Sequence, residues 1–121
     1  QVFDAYNFIS DLVIGAKKSV LLIDNYIDDS TLIIFSKIPN IKVTIYTHTI
    51  SKQLGLDFDK YNTQYNNITL ETFKNSHDRF MIIDSNEVYH LGASLKDLGK
   101  KWFAFSKMDI ESFEVISRLE F

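Results

Sequence analysis

The pattern of the chain predicts an α/β domain: one mixed β-sheet flanked by helices on both faces. Two observations carry this. Helical and strand periodicities alternate through the first half, and short strand patterns crowd the second. A third sets the scale: 121 residues give one domain with a single substantial core, too short for two.

The elements follow in order. Ala5, Phe8, Ile9, Leu12, Val13 and Ala16 recur at helical spacing and end at Lys17 and Lys18, cations suited to a helix C-terminus. "SVLLIDNY" is an apolar run of strand length, and "DNYIDDS" supplies turn and helix N-cap residues. "STLIIFSKI" reads as a short helix stopped before Pro39, whose ring disfavours helical geometry in the residue preceding it. "IKVTIYTHT" alternates Ile41, Val43 and Ile45 with Lys42, Thr44 and Tyr46, the period of a strand. Leu54, Phe58 and Tyr61 mark a third helix despite Gly55, and "NNITLETF" a turn and strand. "RFMIID" and "EVYHLG" flank "SN" as a hairpin, and "WFAFSKM" is a last strand. "DIESFEVISRLE" closes the chain as a helix with Asp109 as N-cap and a stripe of Ile110, Phe113 and Ile116.

Composition narrows the class. Hydrophobic residues make up 45% and charged residues 24%, the proportions of a globular protein rather than a disordered one. Ten Phe and six Tyr predict an aromatic core or an association face. No apolar run reaches the about 18 residues of a membrane span, and no secretory signal pattern is present. The absence of cysteine excludes disulfides and thiolate metal sites, in keeping with a cytoplasmic setting. A chain that opens on Gln1 rather than Met is expected to be a piece of a longer protein.

A net charge of −3 argues against a surface built throughout for nucleic acid, but not against a local basic site. Lysines gather in "KDLGKKWFAFSK", between Lys96 and Lys107. With Trp102 beside them they form either a phosphate-facing strip or a solvated loop next to a buried indole, and the second is the simpler reading.

The informative stretch is "HDRFMIIDSNEVYHLGASLKD", His77 to Asp97. It contains His77, Arg79 and Asp84 in the form H-x-R-x4-D, followed by "GAS" at Gly92–Ser94. This resembles the phospholipase D superfamily motif, H-x-K-x4-D with a following Gly-Ser turn. The order of "FISDLVIGAKKSVLLIDNYID" and "IKVTIYT" upstream is similar to that family's opening helix and first two strands. The resemblance covers nearly the whole chain as one half-site domain. The ending is also similar to domains of this kind attached to phage-type bacterial DNA-binding regulators.

The resemblance implies catalysis by His77 as nucleophile, with Arg79 and Ser94 holding the phosphate and Lys96 beside them. It implies no metal and no cofactor. It further implies a site assembled from two motif copies, so a chain with one copy is expected to form a homodimer about a twofold axis. Physical reasoning supports part of this. Alternate residues of a strand share a face, so His77 and Arg79 would project together, as a nucleophile and an oxyanion-stabilising cation should. Asp84 lies roughly 20 Å along the strand and on the opposite face. It is expected to be structural, bonding the "SN" backbone of the turn.

The departures favour binding over turnover. Arg79 stands where the family has Lys, exchanging a compact ammonium for a planar fork that still grips phosphate. Lys96 stands where the family has Asn, and the Glu that would orient the histidine has no counterpart. Other residues have plainer readings: His90 as a sheet-face histidine, His48 as a strand-end cap, Lys17 and Lys18 as helix-end charges. Asp24 and Tyr26 end the first strand, where ligand crevices form, yet helix capping is the default role for the acids of "DNYIDD". Three functions remain open: a metal-independent phosphodiesterase or nuclease working through phosphohistidine, a catalytically silent dimerisation or ligand-sensing module of a DNA-binding protein, and an ordinary hairpin. Nucleic acid and other phosphodiesters present the same group, so the substrate is not specified.

Overall fold

A computed structural model of the chain describes residues 2–74, 78–97 and 104–114. His77, Trp102 and the closing helix beyond residue 114 lie outside the described residues.

Six strands form one mixed sheet. The described elements are α1 (Val2–Ile14), β1 (Ser19–Ile23), α2 (Asp29–Phe35), β2 (Lys42–Thr47), α3 (Lys52–Asn62), β3 (Ile68–Thr72), β4 (Arg79–Ile83), β5 (Glu87–Leu91), a 3₁₀ turn over Leu95–Asp97, and β6 (Phe105–Met108). The strand order is β3-β2-β1-β4-β5-β6. β1, β2 and β3 pair in parallel, and β4, β5 and β6 add on antiparallel. Both parallel crossovers step the same way across the sheet, so the right-handed rule puts α2 and α3 on one face.

The two faces are unequally covered. Ile9 and Val13 of α1, Leu32 and Phe35 of α2, and Leu54 and Tyr61 of α3 bury one face with Val20, Leu22, Val43, Ile45, Met81 and Ile83. The other face gathers Ile23, Phe80, Ile82 and Val88 under Phe113 of the helical segment 110–114. Helices therefore lie on both faces, as the sequence predicts. Phe35 and Phe80 are fully buried, each contributing about 1.5–3 kcal/mol by removal from water.

Local chemistry fixes the helix ends. Asp28, not a residue nearer the strand, is the N-cap of α2: its carboxylate accepts from Ser30 N–H at 3.0 Å in a capping box with Thr31. Beyond the end of α2, the Asn67 amide donates to the carbonyls of Phe35 and Ile38, both at 3.0 Å. Asn67 is held in turn by the Tyr61 hydroxyl at 2.8 Å, and burial pushes that phenol up to about 12. Asp109 accepts from Ser112 N–H at 2.6 Å, the N-cap role the sequence assigned to it.

The hairpin departs from expectation. Its turn centres on Asp84 and Ser85, with φ of 54° and 63°, rather than on Ser85 and Asn86. The Asn86 N–H donates to the Ile83 carbonyl at 3.1 Å, closing the turn one residue earlier than "SN" suggests. Positive φ costs Asp and Ser less than most residues, and the bonds made by the Asp84 side chain hold the backbone there. Its carboxylate does not bond the turn. It accepts from the backbone N–H groups of Lys17, Lys18 and Ser19 at 3.0, 2.7 and 3.1 Å. The acid is a brace between the end of β4 and the start of β1.

Candidate functional site

At the opposite end of β1 the chain stops being apolar. Asp24 follows Ile23 directly, its N–H donating to the Tyr46 carbonyl at 3.0 Å, which continues the β1–β2 ladder one residue further. Alternation puts Asp24 on the face of Val20 and Leu22, toward the helices. It is completely buried.

A buried carboxylate needs partners, and three segments supply them. Tyr26 N–H donates to Oδ1 at 3.2 Å, and Leu95 N–H to Oδ2 at 2.9 Å from the 3₁₀ turn. The Arg79 guanidinium Nε lies 3.6 Å from Oδ1. The same Nε donates to Ser94 Oγ at 3.1 Å, and the Ser94 hydroxyl donates on to Asp24. Burial raises the Asp24 carboxyl above its ordinary range; the Leu95 N–H, the Ser94 hydroxyl, the Tyr26 N–H and the Arg79 charge pull it part of the way back.

The fold brings Arg79 and Ser94 together from fifteen residues apart because of how β5 ends. Gly92 N–H donates to the Ala104 carbonyl at 2.6 Å, and a Cβ on Gly92 would sit 2.8 Å from that same oxygen. Only glycine lets the two limbs of the loop approach this closely. The loop then turns over the end of the sheet, buries Ser94 and Leu95, and sets Leu95 N–H on Asp24.

Arg79 is oriented by its Nε edge. Its side chain is 28% exposed, and its two terminal nitrogens have no hydrogen bond among the described residues. The terminal nitrogens are the part of a guanidinium that can take an anion bidentately.

The other candidates divide. Lys96 pairs with Asp97, Nζ to Oδ1 at 3.3 Å, so its charge is shared with its neighbour. Asp84 stands at the far end of the strand from Arg79, five residues or roughly 16 Å away, so it takes no part in Arg79's surroundings. Hydrogen bonds from Lys18, Ser19 and Lys17 N–H hold its carboxyl below the ordinary range. His48 is exposed with Nδ1 2.9 Å from Thr49 Oγ1, a strand-end role. His90 lies on the Val88 face, its ring 5.3 Å from that of Phe80. Lys17 and Lys18 matter through their backbone N–H groups, which Asp84 holds. His77 lies outside the described residues.

Sequence reasoning put Asp24 at a strand end but gave it a capping role by default. The structure gives the cap to Asp28 and makes Asp24 the buried anchor of Arg79. The signal was present: an acid closing an apolar strand in "LLID", at the end of the sheet where ligand crevices form. Thr47 was missed as well. In β2 it occupies the register position beside Asp24, on the same face, and its buried Oγ1 has no hydrogen-bond partner among the described residues. Among the described residues no group of three or more His, Asp or Glu side chains is placed to hold a metal. No described helix is long and apolar enough to cross a membrane.

No family model matches the sequence, and no curated protein matches it. Solved structures do. NucT from Helicobacter pylori, a phospholipase D-superfamily protein, superposes with a TM-score of 0.64 at 18% identity, over 96% of this chain and 84% of that one. TrmBL2, an archaeal chromatin protein that binds DNA, superposes with a TM-score of 0.62 at 13% identity over 98% of this chain. The chain spans about half of TrmBL2, 47% of its length. At such identities the likeness speaks for the fold. The strand order, the helices on both faces and these neighbours agree: this chain has a phospholipase D-like fold.

Proposed function

We propose that the domain binds a phosphodiester at the end of the sheet marked by Asp24, Arg79 and Ser94, as the ligand-binding module of a DNA-associated protein. The observation that carries this is the docked guanidinium. Arg79 is fixed through Nε by a buried acid and a buried hydroxyl, and its terminal nitrogens, which have no hydrogen bond among the described residues, are offered to an anion. Fixing the fork in advance removes the rotamer entropy that an arginine otherwise loses on binding. The charge balance makes the binding weak. Arg79 faces Asp24 and Lys96 faces Asp97, so each of these cations has a carboxylate beside it. Nucleic acid is the favoured phosphodiester, in keeping with the fold that the chain shares with a DNA-binding chromatin protein.

The proposed assembly is a homodimer, which would bring two copies of the single motif together. Sedimentation at micromolar concentration then gives about twice the 14.1 kDa of the chain. A monomer at that concentration removes the paired site.

A second reading adds turnover. The sequence keeps His77 in register with Arg79 and Ser94, and the latter two do meet at 3.1 Å. In this reading His77 attacks phosphorus, the leaving oxygen takes a proton from the partner's histidine, and Arg79 stabilises the developing charge without a metal. Sulfate titrated against wild type and Arg79→Ala tests the binding. Loss of the charge-assisted contact should weaken it about ten- to a hundredfold, and equal affinities would refute it. Hydrolysis of bis(p-nitrophenyl) phosphate in excess EDTA, abolished in His77→Asn, distinguishes turnover from binding alone.

A further inference from the structure

The residue between His77 and Arg79 has a partner of its own. Asp78 Oδ1 lies 3.3 Å from His90 Nε2. Asp78 and Phe80 fall on the opposite face from Arg79 and Met81, by strand alternation. His90 is the cross-strand partner of Phe80, and its ring rests on the Phe80 ring at 5.3 Å, tilted by 57°. Phe80 is wholly buried and is backed by Phe113 at 5.0 Å. His90 therefore stands on a rigid base and reaches back along β4 to a residue that precedes the ladder.

The entry to β4 is thus gripped from two sides. On the helix face, Asp24 and Ser94 hold the Arg79 side chain. On the other face, His90 holds Asp78, one peptide away. A long guanidinium arm amplifies any rotation of the backbone that carries it, and the β4–β5 ladder begins only at Arg79 and Leu91. We propose that His90, acting through Asp78, is a positioning residue that sets the backbone from which Arg79 projects. The claim rests on the anion-site reading for its consequence in binding, but not for its structural content.

The two can be separated by measuring Arg79 directly. The Arg79 Nε–H gives its own NMR signal, and its exchange with water reports how firmly the bond to Ser94 is held. Sulfate affinity reports the site, because sulfate does not titrate near neutrality. His90→Phe keeps a ring over Phe80 and removes the hydrogen bond; His90→Gln keeps a polar group able to reach Asp78. Asp78→Ala removes the acceptor at a position 45% exposed, where folding is least disturbed.

The pair is half-exposed, so its contribution is small. We expect His90→Phe and Asp78→Ala each to speed Arg79 Nε–H exchange and to weaken sulfate binding about two- to fivefold, as an exposed pair of this kind allows. His90→Gln should stay near wild type, and the double variant should be no worse than either single one. Unchanged Nε–H exchange in His90→Phe overturns the proposal, as does a His90→Gln variant as impaired as His90→Phe, or additive losses in the double variant. If wild type binds no sulfate while the exchange responds as expected, the anion site falls and the positioning role stands.

Discussion

Asp24 and Asp84 sit at opposite ends of β1 and do similar work. Each accepts backbone N–H groups from a segment remote in sequence: Asp24 from Leu95, Asp84 from Lys17, Lys18 and Ser19. Their ionisation moves in opposite directions. Asp24 is buried, and desolvation raises its carboxyl despite four favourable partners. Asp84 is open to water, and the same kind of hydrogen bond lowers it. Solvent access decides which effect wins. One end of the molecule holds its acid in a dry environment beside an arginine; at the other the acid is a brace.

The largest effect should come from breaking the dry end. Asp24→Ala leaves the Leu95 N–H without its acceptor and the Arg79 charge without its counter-ion. It should lower stability by about 3 kcal/mol in urea unfolding. Asp24→Asn retains an acceptor and removes the penalty of burying a charge, so it should lose far less. Equal losses in the two variants would show that the charge, not the hydrogen bonding, holds the loop.

Breaking the wet end should separate stability from binding. Asp84→Ala should lower the melting temperature by several degrees, because Asp84 and Ser85 keep their positive φ without the brace. Sulfate affinity should be unchanged. Lost binding at unchanged stability would place Asp84 in the site after all.

A smaller change tests the surroundings of Asp24. Thr47→Val replaces a buried hydroxyl that has no partner among the described residues with a group of the same shape. It should raise stability by about 1 kcal/mol. A loss of that size would mean that the hydroxyl has a partner, such as an ordered water beside Asp24.

The finest test is titration of the two carboxyl carbons by NMR. Asp84 should titrate below its ordinary value of 3.8 and Asp24 above it. The linkage then differs in sign. The contribution of Asp84 to stability is present above its unfolded pKa and is lost as pH falls through its depressed folded value. That of Asp24 is fully present below its unfolded pKa and is lost as pH rises through its raised folded value. Two carboxyls moving the same way would dissolve the contrast.

The elements themselves were readable from pattern. Val43 and Ile45 alternate with polar neighbours and form β2; Leu54 and Tyr61 share a helical face and are both buried in α3. Asp109 was readable as a cap because capping is local. The turn was misread by one residue because Asp84, Ser85 and Asn86 all tolerate positive φ, and the choice between them came from Asp84's bonds to a segment more than sixty residues away. The anchoring role of Asp24 was hidden for a related reason: the three acids of "DNYIDD" compete for one cap, and sequence alone does not say which of them is buried.

Periodicity and capping residues determined the elements and the fold class, since each depends on residues close in the chain or on a motif. The partners were decided by tertiary structure alone. Asp24 meets Arg79 and Leu95, Asp84 meets Lys17 to Ser19, and His90 meets Asp78 only once the sheet has set its register. The physical reason is that a carboxylate's role follows from its solvation and its donors, and both are supplied by whatever segments the fold lays beside it.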